Sequence, residues 1–131
     1  MTVDEYKAEQ EKNMSEYEHQ KRLFEEVEFL KTTYPELNCL YHIPNGEYRT
    51  KATAGKLRAM GVKAGIPDIH LPIARGDYHG LYIELKSLKR GAKTSDNQDG
   101  WIEALRNNGY CVGVCRGWRE ALILILDYME V

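Results

Sequence analysis

The chain has 131 residues, enough for one domain around one hydrophobic core. An apolar content of 43%, a charged content of 29% and a net charge of −2 are ordinary for a soluble globular protein. No apolar run approaches the roughly 18–20 residues that span a bilayer, and the polar start Met1 to Asn13 shows no secretory signal, so no membrane partner and a cytoplasmic setting are expected. The three cysteines, Cys39, Cys111 and Cys115, lack CxxC spacing. That argues against a disulfide framework or a zinc site and fits plain thiols in a reducing compartment.

Residues 1–14 read as a polar N-terminal extension, frayed helix or disorder, ahead of a domain over 15–131. Ser15-Glu16-Tyr17-Glu18 matches a capping box, with Glu18 reaching back from the third helical position. Leu23, Val27, Leu30 and Tyr34 recur at helical spacing and predict a helix that Pro35 ends. Carried backwards, that stripe reaches Gln20 and Glu16, so Glu16 is expected at the core face while Glu18 and Glu25 point away. Asn38 to Ile43 predicts a first strand, followed by a turn at Pro44-Asn45-Gly46. Residues 50–61 predict a short basic helix stopped at Gly61. Gly65-Ile66-Pro67 opens a second strand that runs to about Ile73, and a turn around Gly76-Asp77 leads to a third over Leu81 to Leu88.

Lys89 to Thr94 reads as a basic loop. Ser95-Asp96-Asn97-Gln98 is a second capping box, opening a helix to about Asn107 with Trp101, Ile102 and Leu105 inward. Tyr110 to Cys115 reads as a fourth strand. The length of Trp118 to Glu130 and its charges at Arg119, Glu120 and Asp127 favour a helix over a strand. The expected order is αβαββαβα: an α/β fold with a small mixed sheet flanked by helices, its last strand reached by a helical crossover.

Chemistry concentrates at Pro67-Asp68 and Ile83-Glu84-Leu85-Lys86. Residues two apart on a strand share a face, so Glu84 and Lys86 project together and hairpin pairing lets Asp68 join them. Two carboxylates are hard oxygen ligands. With water and the main-chain carbonyl of Leu85 they suit Mg²⁺ or Mn²⁺, which activates water and neutralises charge on a phosphodiester. Lys86 would orient the attacking water or stabilise the transition state. The bland alternative is a buried Glu84–Lys86 ion pair with Asp68 capping a turn.

Charge is segregated. Residues 48–67 carry Arg49, Lys51, Lys56, Arg58 and Lys63 with no acid, and residues 86–93 add Lys86, Lys89, Arg90 and Lys93, again with none. Such patches bind polyanions without a basic pI.

The chain resembles the VRR-NUC family of the PD-(D/E)XK nuclease superfamily from about Ser15 to Tyr128. The words that carry the resemblance are Ser15-Glu16 with Gln20, His42-Ile43-Pro44-Asn45-Gly46, Gly65-Ile66-Pro67-Asp68, Ile83-Glu84-Leu85-Lys86, Ser95 and Gln98 with Trp101, and Gly109-Tyr110. It is similar to the short stand-alone members, many from phages. The resemblance implies a restriction-endonuclease-like fold and a metal-dependent nuclease built on Asp68, Glu84 and Lys86. It also implies a first-helix acid, mapping onto Glu16, and a helix glutamine, mapping onto Gln98. His42, Asn45 and Ser95 join the basic residues as expected nucleic-acid contacts. Similarity to Holliday junction resolvases implies a homodimer acting on branched DNA in a bacterial or phage-infected cytoplasm, with Leu122 to Leu126, Tyr128 and Met129 as interface or core. Two other expectations stand beside this one: a domain that binds nucleic acid or a partner without turnover, and a nuclease subunit that needs another protein.

Overall fold

The computed structural model describes residues 1–44 and 50–131. In chain order the elements are α1 (Val3–Asn13), α2 (Glu16–Leu30), a 3-10 turn (Pro35–Cys39), β1 (Tyr41–His42), α3 (Lys51–Ala59), β2 (Ile69–Leu71), β3 (Leu81–Lys86), α4 (Asp96–Asn107), β4 (Cys111–Arg116) and α5 (Trp118–Met129). From α2 onward this is the expected order. The four strands lie in sequence order, with β1–β2 and β2–β3 antiparallel and β3–β4 parallel across the α4 crossover.

Several boundaries differ from those the sequence suggests. The polar lead-in is a complete helix. Thr2 caps it through the Glu5 N–H, Glu5 returns a bond to the Thr2 N–H, and no α1 residue is buried. Only half of the box expected at Ser15 forms in α2. Ser15 Oγ accepts from the Glu18 N–H at 3.1 Å, but the Glu18 carboxylate accepts from that hydroxyl at 3.2 Å instead of reaching the Ser15 backbone. α2 stops at Leu30, short of Pro35. The proline, at the first position of the 3-10 turn, has its fixed φ suited to that turn, so the first strand shrinks to Tyr41–His42. β2 is likewise only Ile69–Leu71, because Pro67 has no N–H to give the ladder.

The core lies on one face of the sheet. Leu81, Ile83 and Leu85 are buried there among Leu23, Val27, Ala121 and Ile125 of α2 and α5. His19 is wholly buried on the same helical stripe, and its Nδ1 accepts the first N–H of α5, from Trp118, at 3.1 Å. Gly117 precedes that bond at φ 84°, where a Cβ would stand 3.2 Å from Leu88. Trp118 to Met129 is helical, and Ala121, Ile125, Tyr128 and Met129 are spent on the core. Of the apolar segment named as a possible interface, Ile123 alone is fully exposed. Cys115 is buried, Cys111 half-buried and Cys39 exposed, all as free thiols. No described helix is long and apolar enough to cross a membrane.

Candidate active site

The opposite face of the sheet carries the polar residues. In the β2–β3 register His70 faces Tyr82, so one step beyond the ladder Asp68 comes opposite Glu84. There the backbone ladder has run out: Pro67 would be the partner of Leu85. The Asp68 side chain replaces it, its Oδ2 accepting the Leu85 N–H at 3.0 Å. The Asp68 carbonyl accepts the Ile43 N–H at 2.6 Å and His42 Nδ1–H at 2.9 Å, tying it to β1. Gly65, at φ 91°, lets the segment before Asp68 pass close to α4; a Cβ there would meet the Asn97 backbone at 2.8 Å.

Glu84 and Lys86 are 1% and 8% exposed. Lys86 Nζ stands 3.4 Å from Glu84 Oε1 and donates to Gln98 Oε1 at 3.1 Å. Gln98 Nε2 donates to Glu84 Oε1 at 2.7 Å. Gln98 Oε1 also accepts the Ser95 N–H at 2.9 Å, while Ser95 Oγ caps the Gln98 N–H. One side chain therefore completes the α4 capping box and clamps both charged residues of β3.

The second carboxylate oxygen, Glu84 Oε2, is buried with no hydrogen-bond partner. Burial first, and then the facing Asp68 charge, push the Glu84 carboxyl up to about 8 despite Lys86. Asp68 is raised too, mainly by burial, with the Leu85 N–H and Lys86 opposing. An orphaned acceptor between two carboxyls that disfavour each other's charge fits a cation. The Leu85 carbonyl shares an edge of the strand with the Leu85 N–H, and so faces the Asp68 side. Among the described residues no three His, Cys, Asp or Glu side chains converge on a point. The facing pair of carboxylates fits Mg²⁺ or Mn²⁺, which take one or two carboxylates and keep water or phosphate as the other ligands. Glu16 is the first residue of α2 and is exposed. Its charge reaches Glu84 and raises it slightly.

The expected nucleic-acid contacts divide into groups. Asn45 and Arg49 lie outside the described residues. His42 is spent on the Asp68 carbonyl. Ser95 is an exposed helix cap, and Lys89, Arg90 and Lys93 are exposed in the loop between β3 and that cap. Lys51, Lys56 and Arg58 are exposed on α3, which buries no residue. Trp101 is half-buried rather than core.

Two features escaped the sequence reading. Arg116 pairs with Lys86 in the β3–β4 register and extends basic character past the site; only the parallel register, set by the α4 crossover, reveals it. The other is a row of rings beside the carboxylates. The Tyr41 hydroxyl is hydrogen-bonded to His70 Nδ1 at 2.7 Å, and His70 stacks on Tyr82 with centroids 4.1 Å apart and planes 7° apart. Its signal was the shared strand face of His70 and Asp68.

Comparison with known proteins points one way. The family model described as VRR-NUC domain matches residues 4–118. A solved structure described as a VRR_NUC domain protein is 32% identical, with a TM-score of 0.74 over 90% of each chain. No curated protein matches the chain.

Proposed function

This chain belongs to the VRR-NUC family and is a nuclease-type domain, and we propose that it is a divalent-metal-dependent deoxyribonuclease that hydrolyses phosphodiester bonds in branched DNA as a homodimer. The observation that carries the metal reading is the buried, unpartnered Glu84 Oε2 opposite Asp68. Membership of the family fits the PD-(D/E)XK superfamily, whose defining residue types stand here as Pro67-Asp68 and Glu84-Leu85-Lys86.

Asp68, Glu84 and the Leu85 carbonyl would hold Mg²⁺ or Mn²⁺, with Glu16 adding negative charge from the outer side. When bound there, the metal supplies a Lewis acid that makes hydroxide available near neutral pH and offsets phosphate charge. Lys86 has three N–H donors. Two are directed at Glu84 and Gln98, which leaves one for the attacking water or a phosphoryl oxygen. Gln98 acts through those two residues and is a positioning residue: its amide holds Glu84 and Lys86 at fixed separation. The N-terminus of α4 beside them favours an anionic ligand. Lys89, Arg90, Lys93 and Arg116 lie at the same end of the sheet and supply phosphate contacts, which position DNA without reading its sequence. A two-fold dimer suits a branched substrate because it presents two sites related as the arms of a junction are.

The test is cleavage of labelled branched and linear DNA with Mg²⁺ or Mn²⁺ by wild type, Asp68→Asn and Lys86→Ala, with solution mass measured in parallel. Metal-dependent cleavage lost in both variants supports the assignment; cleavage that survives both removes it.

A further inference from the structure

The row of rings beside the carboxylates goes beyond phosphodiester chemistry. Tyr41, His70 and Tyr82 occupy one rung across β1, β2 and β3. Ile43, Asp68 and Glu84 occupy the next rung along the same face. Rungs on one face are about 7 Å apart, close to the length of one nucleotide along a single strand. The row is braced throughout. Tyr41 meets His70 edge-on at 5.4 Å and through its hydroxyl, His70 stacks flat on Tyr82, and Tyr110 closes edge-on against Tyr82 at 5.4 Å. α2 and α5 cover the other face, where Ile69 and Leu71 of β2 are buried in the core. Tyr41, at the outer end of the row, is 47% exposed. A well-packed core does not need a tyrosine held in fixed orientation and left half open to solvent.

We propose that Tyr41, backed by His70 and Tyr82, is a stacking platform for an unpaired nucleobase adjoining the scissile phosphate, so that the substrate is DNA with a strand displaced from the duplex at the cut. This rests on the nuclease reading above and deepens it. Uncharged aromatic rings one rung from an anionic, metal-suited site are complementary to a nucleotide: the phosphate goes to the carboxylate rung and the base to the ring rung. A base inside an intact duplex has both faces stacked and cannot lie on Tyr41, whereas a flap, a splayed arm or a junction crossover offers one at little cost. Preorganisation of the row reduces the entropy lost on binding.

The experiment is a splayed-arm DNA with a single abasic residue stepped along each arm, scored for cleavage with Mg²⁺ or Mn²⁺ and for binding by fluorescence anisotropy. The proteins are wild type, Tyr41→Val and Tyr41→Phe. Stacking on one aromatic side chain corresponds to roughly tenfold in affinity. At one position flanking the cut, the abasic residue should weaken wild type about tenfold. Tyr41→Val should weaken the intact substrate by about the same factor and be indifferent to the abasic residue, while Tyr41→Phe stays within about threefold of wild type. An abasic residue without effect at every position, or losses that multiply in Tyr41→Val, overturns the platform; the row is then a cross-strand ladder whose loss shows only in melting temperature. Cleavage without abasic sensitivity removes the platform and keeps the nuclease. Abasic-sensitive binding without cleavage does the reverse.

Discussion

Two faces of one strand divide the work of this protein. Leu81, Ile83 and Leu85 of β3 are buried in the apolar core with residues of α2 and α5. Tyr82, Glu84 and Lys86 alternate with them and point the other way, toward rings, carboxylates and the Gln98 amide. Glu84 and Lys86 are buried as the first set is, and Tyr82 half-buried, yet the first set stabilises the fold by its burial and the buried charges cost stability. A buried carboxylate with an oxygen left unpartnered is unfavourable unless something else binds it. Stability and chemistry should therefore respond in opposite directions to substitutions one residue apart.

The largest effect should come from the polar face. Asp68→Asn or Glu84→Gln removes one of the two charged oxygen donors, and cleavage is expected to fall by roughly a thousandfold or more. Neither change should lower the melting temperature in metal-free buffer, and Glu84→Gln should raise it above about pH 8, where the wild-type carboxyl carries a charge that its surroundings oppose. Assay and thermal melt on the same preparations check this. A variant that is both inactive and less stable would mean that Glu84 serves the fold as an ion-pair partner of Lys86.

On the apolar face the prediction is reversed. Leu85→Ala leaves every polar group in place and opens a cavity between α2, α5 and the sheet. It should cost about 2–5 kcal/mol of unfolding free energy by denaturant titration, while cleavage per folded molecule stays within severalfold of wild type.

The faces should also differ in their response to pH. The Glu84 carboxyl has a native pKa of about 8 against an ordinary value of 4.5, so between those limits the native state binds more protons than the unfolded state. Stability in metal-free buffer should fall as pH rises through that window and level off above it, by up to roughly 15 °C in melting temperature. Added Mg²⁺ or Mn²⁺ should offset the fall, increasingly toward high pH, since protons and metal compete for the same oxygens. Glu84→Gln should flatten both dependences, and Leu85→Ala should leave them in place on a lower baseline. A wild-type melt insensitive to pH and to metal would remove the cation from the site.

The alternation of β3 was legible because a period of two needs only the residues themselves. The Ser15-to-Glu16 start of α2 and the α4 capping box were legible for the same local reason, while the site role of Gln98 was implied by the family resemblance. What the residues supplied only on condition of pairing, or not at all, was whatever tertiary register sets. Asp68 lies outside the hydrogen-bonded ladder, and only the pairing of Ile69 with Ile83 puts it opposite Glu84. Arg116 meets Lys86 only through a parallel crossover. Apart from the strand face it shares with Asp68, nothing local marks His70, and only the registers of β1 and β3 place a tyrosine on either side of it. Helical phase did bring Glu16 to the end of the buried stripe. Phase gives direction and not depth, and at the first turn the helix has already passed the edge of the core.

The smallest effect sharpens the comparison from outside both faces. Arg119 of α5 makes a bidentate pair with Glu11 of α1, with Arg119 Nη2 2.8 Å from Glu11 Oε1, and its guanidinium lies 4.5 Å from the Trp118 ring centre. Arg22 sits at the same distance from that ring. The Arg119 contacts pin an otherwise unburied helix to the body, and the Arg119 hydrogen bond holds the Glu11 carboxyl below its ordinary range. Arg119 is well exposed, so solvent screens most of the attraction, and Arg119→Ala should cost no more than about 1 kcal/mol. Cleavage should not change, because neither residue touches the carboxylate rung. Hydrogen exchange should show α1 opening faster while β3 keeps its protection. If Arg119→Ala instead lowers cleavage tenfold, α1 belongs to the substrate surface, and the division of labour is not confined to the two faces of β3.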